Sequence, residues 1–544
     1  MANYTRRNAW NNGGTFSNTD LFWYAKGVGV MQARNLDQTS SWWFFAAMHN
    51  EYLNEANFPG WGDIPSPPNV PTSPAPAASV SKQYWDQCQH QSWYFLPWHR
   101  GYLVALEAQI RADVVSLGGP PTWALPYWNY LGPGNEFMIP AAFTEKQLPN
   151  DGPNPLFVAA RYGPDRDGNI YIPTPGAIPQ HPHDPNFTQG PVTGDSMVDD
   201  LFTGSDTITV RPGFGGPETG FLNSGGTSGN LENNPHNHVH VYVGGIFPGG
   251  RKFGLMSDPG TAALDPIFYL HHANIDRMWA VWNGSPSNNN PIDPNWLSGP
   301  TAVGDRKFVM PMPDGNSWAY IPQQMNSLSQ MDYTYDDLPA APVEAAPVMA
   351  PLAARLTRLG ASAFASKIME GVPVTIGNET ELVGATQSAL SLISTGATAS
   401  VRLDPSVRRK VSASLALASE AVTGPELIAP DRVYLNLENI RGNIGASVLS
   451  VYIDLPANAT PADRPDLFAG SVALFGLRNA SRKDGSHGGA GLSFVLGITK
   501  IVDQLHLNNA LDVDSLQVRI VPDQPIPDQA EITIGRISIY REGQ

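Results

Sequence analysis

The stretch 265–279, DPIFYLHHANIDRMW, places two adjacent histidines inside an otherwise strongly apolar segment. The Asp-Pro pair at its start suits an N-cap followed by a first helical residue, so the pattern predicts a helix that runs to about Trp282. A helix of this composition rarely buries two imidazoles without polar partners. Because neighbouring helical residues point about 100° apart, one metal ion takes only one of His271 and His272. The pattern alone does not choose between them.

A second pair of histidines precedes this helix, in ENNPHNHVHVYVGG (232–245). His236 and His240 stand four residues apart, so on a helix from His236 to about Val241 they share one face and His238 points away. Such a pair also occurs as ordinary surface or capping residues. It indicates a metal site only together with the two histidines of the following helix.

The N-terminal half supplies three more histidines among aromatic residues, His49, His90 and His99. His49 lies on a predicted helix that starts after two serines suited to N-capping. In HQSWYFLPWHRGYL (90–103), Pro97 suits a first helical turn, so His99 sits near the start of a long helix and His90 in the preceding turn. Imidazole sets without an obvious carboxylate ligand suit copper or zinc, and a zinc hydrolase remains an alternative.

Composition limits the class of partner. The chain has 544 residues, with 33 Lys+Arg against 49 Asp+Glu, which gives a formal charge of -16. This balance argues against nucleic acid or an anionic membrane surface as a partner and favours a small neutral substrate. No apolar run suits a transmembrane helix and no secretion signal is seen, so we expect a soluble, cytoplasmic protein. The single cysteine, Cys88, excludes an intramolecular disulfide framework.

The hydrophobic pattern changes along the chain and predicts a division into domains. Residues 1–340 contain the predicted helices and long Gly/Pro-rich loops and form the predicted catalytic domain. Residues 341–424 are a linker, rich in Ala and Pro at its start, and a connecting segment of uncertain structure. Residues 425–544 alternate apolar and polar positions, as in VYLNLENI and ITIGRISIY, and predict a separate all-β sandwich.

The three histidine-bearing segments closely resemble the copper-binding signatures of the tyrosinase, polyphenol oxidase and mollusc-type haemocyanin family. The resemblance covers residues 1–340 and implies a mainly α catalytic domain, in which a four-helix bundle holds two copper ions. The Arg6-Arg7 segment and the motif Tyr333-Thr334-Tyr335 are similar to the paired ends of plant polyphenol oxidase catalytic domains. The implied ligands of copper A are His49, His90 and His99, and those of copper B are His236, His240 and His272. His271 would then lie beside the site.

The resemblance also implies roles for residues near the two coppers. Glu232 and Asn237 match the positions that hold a water able to take the proton of a phenol, although a solvated or capping Glu232 is the alternative. Cys88, in Cys-Gln-His, resembles a cysteine whose sulfur is joined to the histidine two residues on, here His90; an inert buried thiol is the alternative. Plant enzymes carry that cysteine at the position of Leu53, so the chain combines plant-like and fungal-like features.

The function implied is the copper-dependent oxidation of phenols and o-diphenols to o-quinones with dioxygen. An o-aminophenol oxidase would share nearly every motif, and a haemocyanin-like oxygen carrier would use the same six histidines. The C-terminal pieces are similar to the domain that covers the active site of plant polyphenol oxidases, which implies a latent full-length enzyme. The sequence names neither the side chain that would fill the site nor the oligomeric state.

Overall fold

A computed structural model provides the structure of the chain. It describes residues 3–50, 62, 64, 68–149, 152–175, 191–204, 211–220, 226–247, 253–299, 308–339, 349–420, 427–483, 489–511 and 513–544. The predicted Ala/Pro linker falls largely on 340–348, and His181, His183 and His487, to which the sequence assigns no site, also lie outside these residues. Within the described part, no helix is both long enough and apolar enough to cross a membrane.

The α-helices found among the described residues are α1 Thr19–Gln32, α2 Trp42–His49, α3 Ala78–Tyr84, α4 Phe95–Ser116, α5 His238–Gly244, α6 Pro259–Ala262, α7 Ile267–Asn283, α8 Pro294–Ser298, α9 Ala350–Arg358, α10 Ser362–Met369, α11 Pro405–Glu420, α12 Leu477–Ser481 and α13 Thr499–Leu507. Helices α2, α4, α5 and α7 carry or adjoin the histidines of interest. The predicted helical core is therefore confirmed.

Local sequence signals fix the helices of this core. Ser41 caps α2 by accepting a hydrogen bond from the Phe44 N–H, and every residue of α2 is buried. Pro97 lies in the first turn of α4, as its fixed φ predicts. The side chain of Asp265 accepts from the N–H of Ile267, so it caps α7 from two residues ahead of the first helical residue.

One helix differs from its predicted course. His236 does not lie on the α-helix itself but on a π-helical turn, Glu232–Asn237, that leads into α5. Pro235 lies inside this turn, and because proline lacks an N–H the regular hydrogen-bond pattern cannot run through it. The helix α1 was not predicted, although Asn18 caps it by accepting from the Asp20 N–H.

The strands are β1 Tyr4–Arg6, β2 Phe308–Pro311, β3 Ser317–Tyr320, β4 Tyr333–Tyr335, β5 Val374–Thr375, β6 Glu379–Ala385, β7 Leu390–Ser391, β8 Ala397–Leu403, β9 Leu427–Ile428, β10 Arg432–Arg441, β11 Val448–Ile453, β12 Phe468–Ala473, β13 Leu492–Gly497, β14 Ser515–Pro522 and β15 Thr533–Gly543. Strands β1 and β4 pair in parallel, with Tyr4 opposite Tyr333 and Arg6 opposite Tyr335. The expected pairing of the two ends of the catalytic domain is thus observed.

The C-terminal domain is rich in β-structure, as predicted, but it is not all-β, because α12 and α13 lie within 425–544; its long strands belong to one large sheet. Its nine strands follow the order β12-β11-β14-β8-β6-β15-β10-β13, with β7 paired to β15. The chain segments that alternate apolar and polar residues supply β10, β11, β12, β14 and β15. The sheet also includes β6 and β8, which lie ahead of residue 425, the predicted start of this domain.

Candidate metal centre

The first triple, which we define as His49, His90 and His99, comes from three separate elements. His49 is the last residue of α2, His90 precedes α4, and His99 lies in the second turn of α4. The Nε2 atoms of His49 and His90 are 3.1 Å apart, and the His99 ring lies 5.1 Å from that of His90 between centroids. The ligand atoms of the triple and of Cys88 all lie within 4.8 Å of one another. The fold therefore brings ring nitrogens from three separate elements close enough together to bind one metal ion.

The second triple, which we define as His236, His240 and His272, converges in the same way. The Nε2 atom of His272 lies 3.3 Å from that of His236 and 3.4 Å from that of His240. A ring nitrogen of His271 also lies within 4.8 Å of a ring nitrogen of each of these three residues, although the shortest Nε2–Nε2 distances are those of His272. The His271 ring stacks on His236, with centroids 5.2 Å apart and planes at 24°. The shortest distances thus favour His272, and the assignment of His272 rather than His271 as the ligand stays a prediction.

The two triples lie side by side. The rings of His99 and His272 stack face to face, with centroids 4.4 Å apart and planes at 11°. Phe95 lies between the triples, 4.5 Å from the His99 ring and 4.7 Å from the His236 ring. Two metal ions held by these nitrogens would be immediate neighbours in a shared, aromatic-walled cavity.

The outer nitrogen of five of the six imidazoles is held by a hydrogen-bond acceptor. These Nδ1 contacts are His49 to Pro259 O at 2.9 Å, His90 to Glu232 Oε1 at 3.1 Å, His99 to Phe95 O at 2.8 Å, His236 to Asn237 Oδ1 at 2.9 Å and His240 to Met256 O at 3.0 Å. When Nδ1–H donates to such an acceptor, the lone pair of Nε2 is free to face the shared point. The contacts therefore orient the rings for metal binding.

Burial keeps these imidazoles neutral. All six are nearly inaccessible to solvent, with at most 4% of their surface exposed. Burial lowers the pKa of His90 to about 3 and that of the other five well below the usual value for histidine. Only neutral imidazole coordinates a metal, so the donor set fits a soft or borderline cation without any change of protonation.

Glu232 and Asn237 both lie against the triples. Glu232 is 2% exposed, and its carboxylate accepts from the backbone N–H of Gln91 at 2.9 Å as well as from His90. Burial raises the pKa of Glu232 to about 8, although backbone N–H donors oppose the shift. Together with His90 and Phe475, Glu232 and Asn237 line a cavity of about 10 Å³, close to the minimum for one water molecule.

Cys88 is buried beside the first triple. Its Sγ lies 3.9 Å from Nε2 of His99 and within 4.8 Å of a ring nitrogen of His90. Burial raises the pKa of its thiol well above the usual value. The fold therefore places the Cys88 sulfur near His90, the residue to which the sequence resemblance predicts a covalent link.

The C-terminal domain contributes an aromatic side chain that the sequence did not identify. Phe475, in the turn between β12 and α12, stacks on His240 with centroids 4.1 Å apart and planes at 21°. It also lies 5.8 Å from His236 and 6.1 Å from His90. The next residue, Gly476, has φ +80°, a left-handed conformation that favours glycine and allows the tight turn. No local sequence signal marks Phe475, because its role depends on how the two domains meet.

Family comparisons agree with this architecture. Residues 39–285 match the family model for the common central domain of tyrosinase, and residues 379–542 match a domain family of unknown function. Tyrosinase HcTyr1 of Hahella sp. (strain CCB-MM4) is 28% identical over 533 residues, which cover 96% of this chain and 97% of that protein. The latent form of polyphenol oxidase from Prunus armeniaca is 34% identical over 219 residues, which cover 38% of this chain and 32% of that protein.

Solved structures share the fold over both domains. The structure of latent apple tyrosinase has a TM-score of 0.55 at 19% identity and covers 100% of this chain and 98% of its own. Latent aurone synthase, a polyphenol oxidase, has a TM-score of 0.54 at 18% identity and covers 99% and 89%. The two adjacent histidine sites fit a dicopper centre. Residues 39–285 therefore form a central domain of the tyrosinase type.

Proposed function

We propose that this chain oxidises phenols and o-diphenols to o-quinones with dioxygen, at two copper ions held by the first and second triples. The observation that carries the proposal is the pairing of two converging three-histidine sets whose nearest rings, His99 and His272, are 4.4 Å apart. That spacing allows both metals to act on one small molecule. When bound, the copper pair supplies the redox chemistry, and the protein supplies orientation and a dry cavity.

The walls of the site suit a flat aromatic substrate. Phe268 lies 4.2 Å from the His272 ring and 4.8 Å from the His49 ring, and Phe95 closes the gap between the triples. These rings exclude bulk water and offer apolar contact to a phenol. The formal charge of -16 further supports small neutral substrates, with neither nucleic acid nor a membrane as a partner.

We assign a proton-accepting role to Glu232, assisted by Asn237. A phenol is largely un-ionised near neutral pH, and its ionised form is the better metal ligand, so the site needs a base. Glu232 is buried, and the small cavity that it shares with Asn237 is near the size of one water. A water held there would carry the proton from the phenol to the carboxylate.

The full-length chain is proposed to be latent, with Phe475 filling the substrate position over the second triple. A ring stacked at 4.1 Å on His240 occupies the space in which a substrate ring would lie. If the domain opens rarely, activity falls in proportion, about tenfold for each 1.4 kcal/mol of docking free energy. We place the catalytic domain at 1–340 and extend the covering domain to include β6, so that it begins near residue 379.

The same covered site favours one alternative, a haemocyanin-like oxygen carrier. A carrier needs the six histidines together with a barrier to phenols, and Phe475 is such a barrier. The two functions differ in whether the site turns over a substrate once it is open. An o-aminophenol oxidase would differ only in its preferred substrate.

Metal analysis followed by a substrate panel tests the proposal. The purified chain is expected to hold two copper ions per molecule and, after mild detergent or limited proteolysis, to oxidise catechol with consumption of dioxygen. A phenol and an o-aminophenol complete the panel, and a zinc-loaded sample is the control. Reversible oxygen binding without turnover in the opened protein would favour the carrier, and zinc as the native metal would contradict both readings.

A further inference from the structure

One face of helix α5 points to the metal centre, and the opposite face points to the C-terminal domain. His236, in the turn before the helix, and His240 are four residues apart and face the second triple. His238 and Tyr242 are also four residues apart. Each lies two residues after one of these histidines and therefore on the opposite face of the helix. This opposite face contacts the C-terminal domain.

Two side chains of the C-terminal domain hold this opposite face. Nδ1–H of His238 donates to Asn233 O at 2.9 Å, so its Nε2 accepts from the hydroxyl of Ser471 on β12, at 2.8 Å. The hydroxyl of Tyr242 donates to the carboxylate of Asp523, which directly follows β14. His238 is fully buried and Tyr242 is 5% exposed. Both bonds are therefore shielded from competition with solvent.

The two holding residues belong to one rigid piece of the sheet. Strand β11 lies between β12 and β14 and pairs with both. Ser471 and Asp523 thus keep a fixed spacing. They contact α5 at two points, through His238 near its start and Tyr242 near its end. A displacement of α5 would have to break both contacts together.

Helix α5 needs such support because it is very short. It has seven residues, preceded by a turn that contains Pro235 and followed by Gly245 at φ +64°. Helices of this length are unstable alone and take their position from packing. The Nε2 of His240 must nevertheless stay within a few tenths of an ångström of its place to bind a metal.

We infer that Ser471 and Asp523 are positioning residues for the second triple, so that the C-terminal domain supports copper binding there as well as covering the site. The inference rests on the proposed copper centre and deepens it. This coupling through α5 is reciprocal. If docking of the C-terminal domain strengthens copper binding in the second triple, copper binding strengthens docking of the domain by the same free energy. The first triple contains no ligand from α5 and is not included in this coupling.

Copper release from the full-length, copper-loaded chain into excess chelator tests the inference. Ser471→Ala and Tyr242→Phe are each expected to speed the loss of one of the two coppers by about two- to thirtyfold and to leave the other unchanged. Ser471→Thr keeps a hydroxyl and is expected to restore the slow rate. Ser400→Ala is the matched control, because the Ser400 hydroxyl on β8 contacts Gln517 of its own domain.

A second arm identifies which copper responds. In a His240→Ala background, which removes a ligand of the second triple, Ser471→Ala is expected to have no effect on the remaining copper. The inference is overturned if Ser471→Ala and Tyr242→Phe release both coppers at the wild-type rate, or release both faster to the same extent. Two coppers and catechol turnover in the wild-type chain would leave the proposed function standing in either case.

Discussion

At the scale of single residues, the outer nitrogens explain why the six imidazoles are ready to bind metal. Two are held by side chains, Glu232 and Asn237, and three by backbone carbonyls. His272 differs, since its Nδ1 is buried without a hydrogen bond in the described part of the chain. Its orientation comes from packing, through the stack on His99 and the contact with Phe268.

The neighbouring histidines 271 and 272 are expected to differ in their effect on copper. His272→Ala removes an Nε2 that lies 3.3 Å from its counterpart in His236, so the second copper should be lost. His271→Ala removes a ring that stacks on His236 and that we do not assign as a ligand, so the second copper should bind more weakly but remain, within about 10- to 100-fold of the normal affinity. Copper stoichiometry by elemental analysis measures both effects. Equal and complete loss in the two variants would contradict this assignment.

Glu232→Gln is expected to impair monophenol oxidation more than diphenol oxidation. Glutamine keeps an oxygen that accepts from His90 Nδ1 and Gln91 N, so the metal site should retain its geometry. It cannot take a proton, so monophenol turnover should fall by about 10²-fold or more, and diphenol turnover by a smaller factor. Steady-state rates on a matched monophenol and diphenol, at confirmed copper content, separate the two. Parallel losses on both substrates would remove Glu232 from the base role.

Cys88 is expected to be joined to His90 once copper and dioxygen have acted on the chain. Formation of the thioether removes the thiol hydrogen and one ring hydrogen, and dioxygen accepts the two electrons. The intact mass should therefore fall by two hydrogen atoms, and the only cysteine should resist alkylation after unfolding. Protein produced without copper is the control and should alkylate fully. Full alkylation of the denatured, copper-loaded chain would leave Cys88 as a plain buried thiol.

Local sequence predicts part of the histidine site, and the rest depends on how the helices pack. Spacing predicted that His236 and His240 share one face, because a helix brings residues four apart together, but the pair indicated a metal site only in combination with the histidines of the following helix. It did not separate His271 from His272, since that choice depends on how α7 is rotated against α5. The acceptors Pro259 O and Met256 O carry no side-chain signal at all, and only the folded backbone places them beside the rings.

At the scale of elements, a buried ion network joins the two ends of the catalytic domain. Arg6 on β1 donates to Glu107 on α4 and to Asp276 on α7, and Arg100 also donates to Asp276. The hydroxyls of Tyr333 and Tyr335 on β4 donate to the same carboxylate. The network therefore fixes α7, and with it His272, relative to α4.

Asp276→Asn is expected to destabilise the chain by about 3 to 5 kcal/mol, because it leaves two buried guanidinium groups without their shared carboxylate. Burial alone would raise the pKa of Asp276, but Arg100 and Arg6 outweigh it and hold the pKa below its usual value. A carboxyl with a lowered pKa stabilises the fold above about pH 3.9, and this contribution is lost only as the pH falls through the lower, folded value. The stability difference between wild type and variant should thus persist at neutral pH and shrink in strong acid.

Thermal or denaturant unfolding at several pH values measures this difference. Asp466→Asn is the matched control, because Asp466 pairs with Arg464 on the surface and such pairs contribute about 1 kcal/mol or less. Similar small losses for the two variants at neutral pH would show that the buried network contributes little.

The elements that were predicted well are those whose own sequence decides them. Alternation of apolar and polar residues identified β10 and β15, and the Asp-Pro pair marked the start of α7. Strands β6 and β8 were not assigned, because the segment between α10 and α11 has a mixed pattern; β6 gains its place by pairing with β15, and β8 by pairing with β14. The π-helical turn before α5 likewise has no periodic signature.

At the scale of the whole molecule, the proposed latency depends on how the two domains meet. The C-terminal domain places Phe475 against His240 and Ser471 against His238. One surface of this domain therefore contacts both the metal centre and the opposite face of α5. Sequence resemblance predicted a covering domain, but the residue that fills the site follows from docking geometry alone. Opening the domain should therefore have two opposing effects: access for substrate and weaker support of α5.

Removal of the C-terminal domain is expected to raise catechol turnover per copper-loaded site, because access for substrate opens, although the second copper should then be released faster. The Ala/Pro-rich composition of 337–352 is typical of a linker, and linkers are common sites of cleavage by proteases. In the uncut chain, Phe475→Ala should activate in part, because it clears the space over His240 and leaves the other interdomain contacts intact. Phe468→Ala is its control, since Phe468 packs on Tyr452 within its own domain and should leave latency unchanged. If trimmed protein and Phe475→Ala both keep two coppers yet are no more active than the intact chain, the domain does not restrict access to the site.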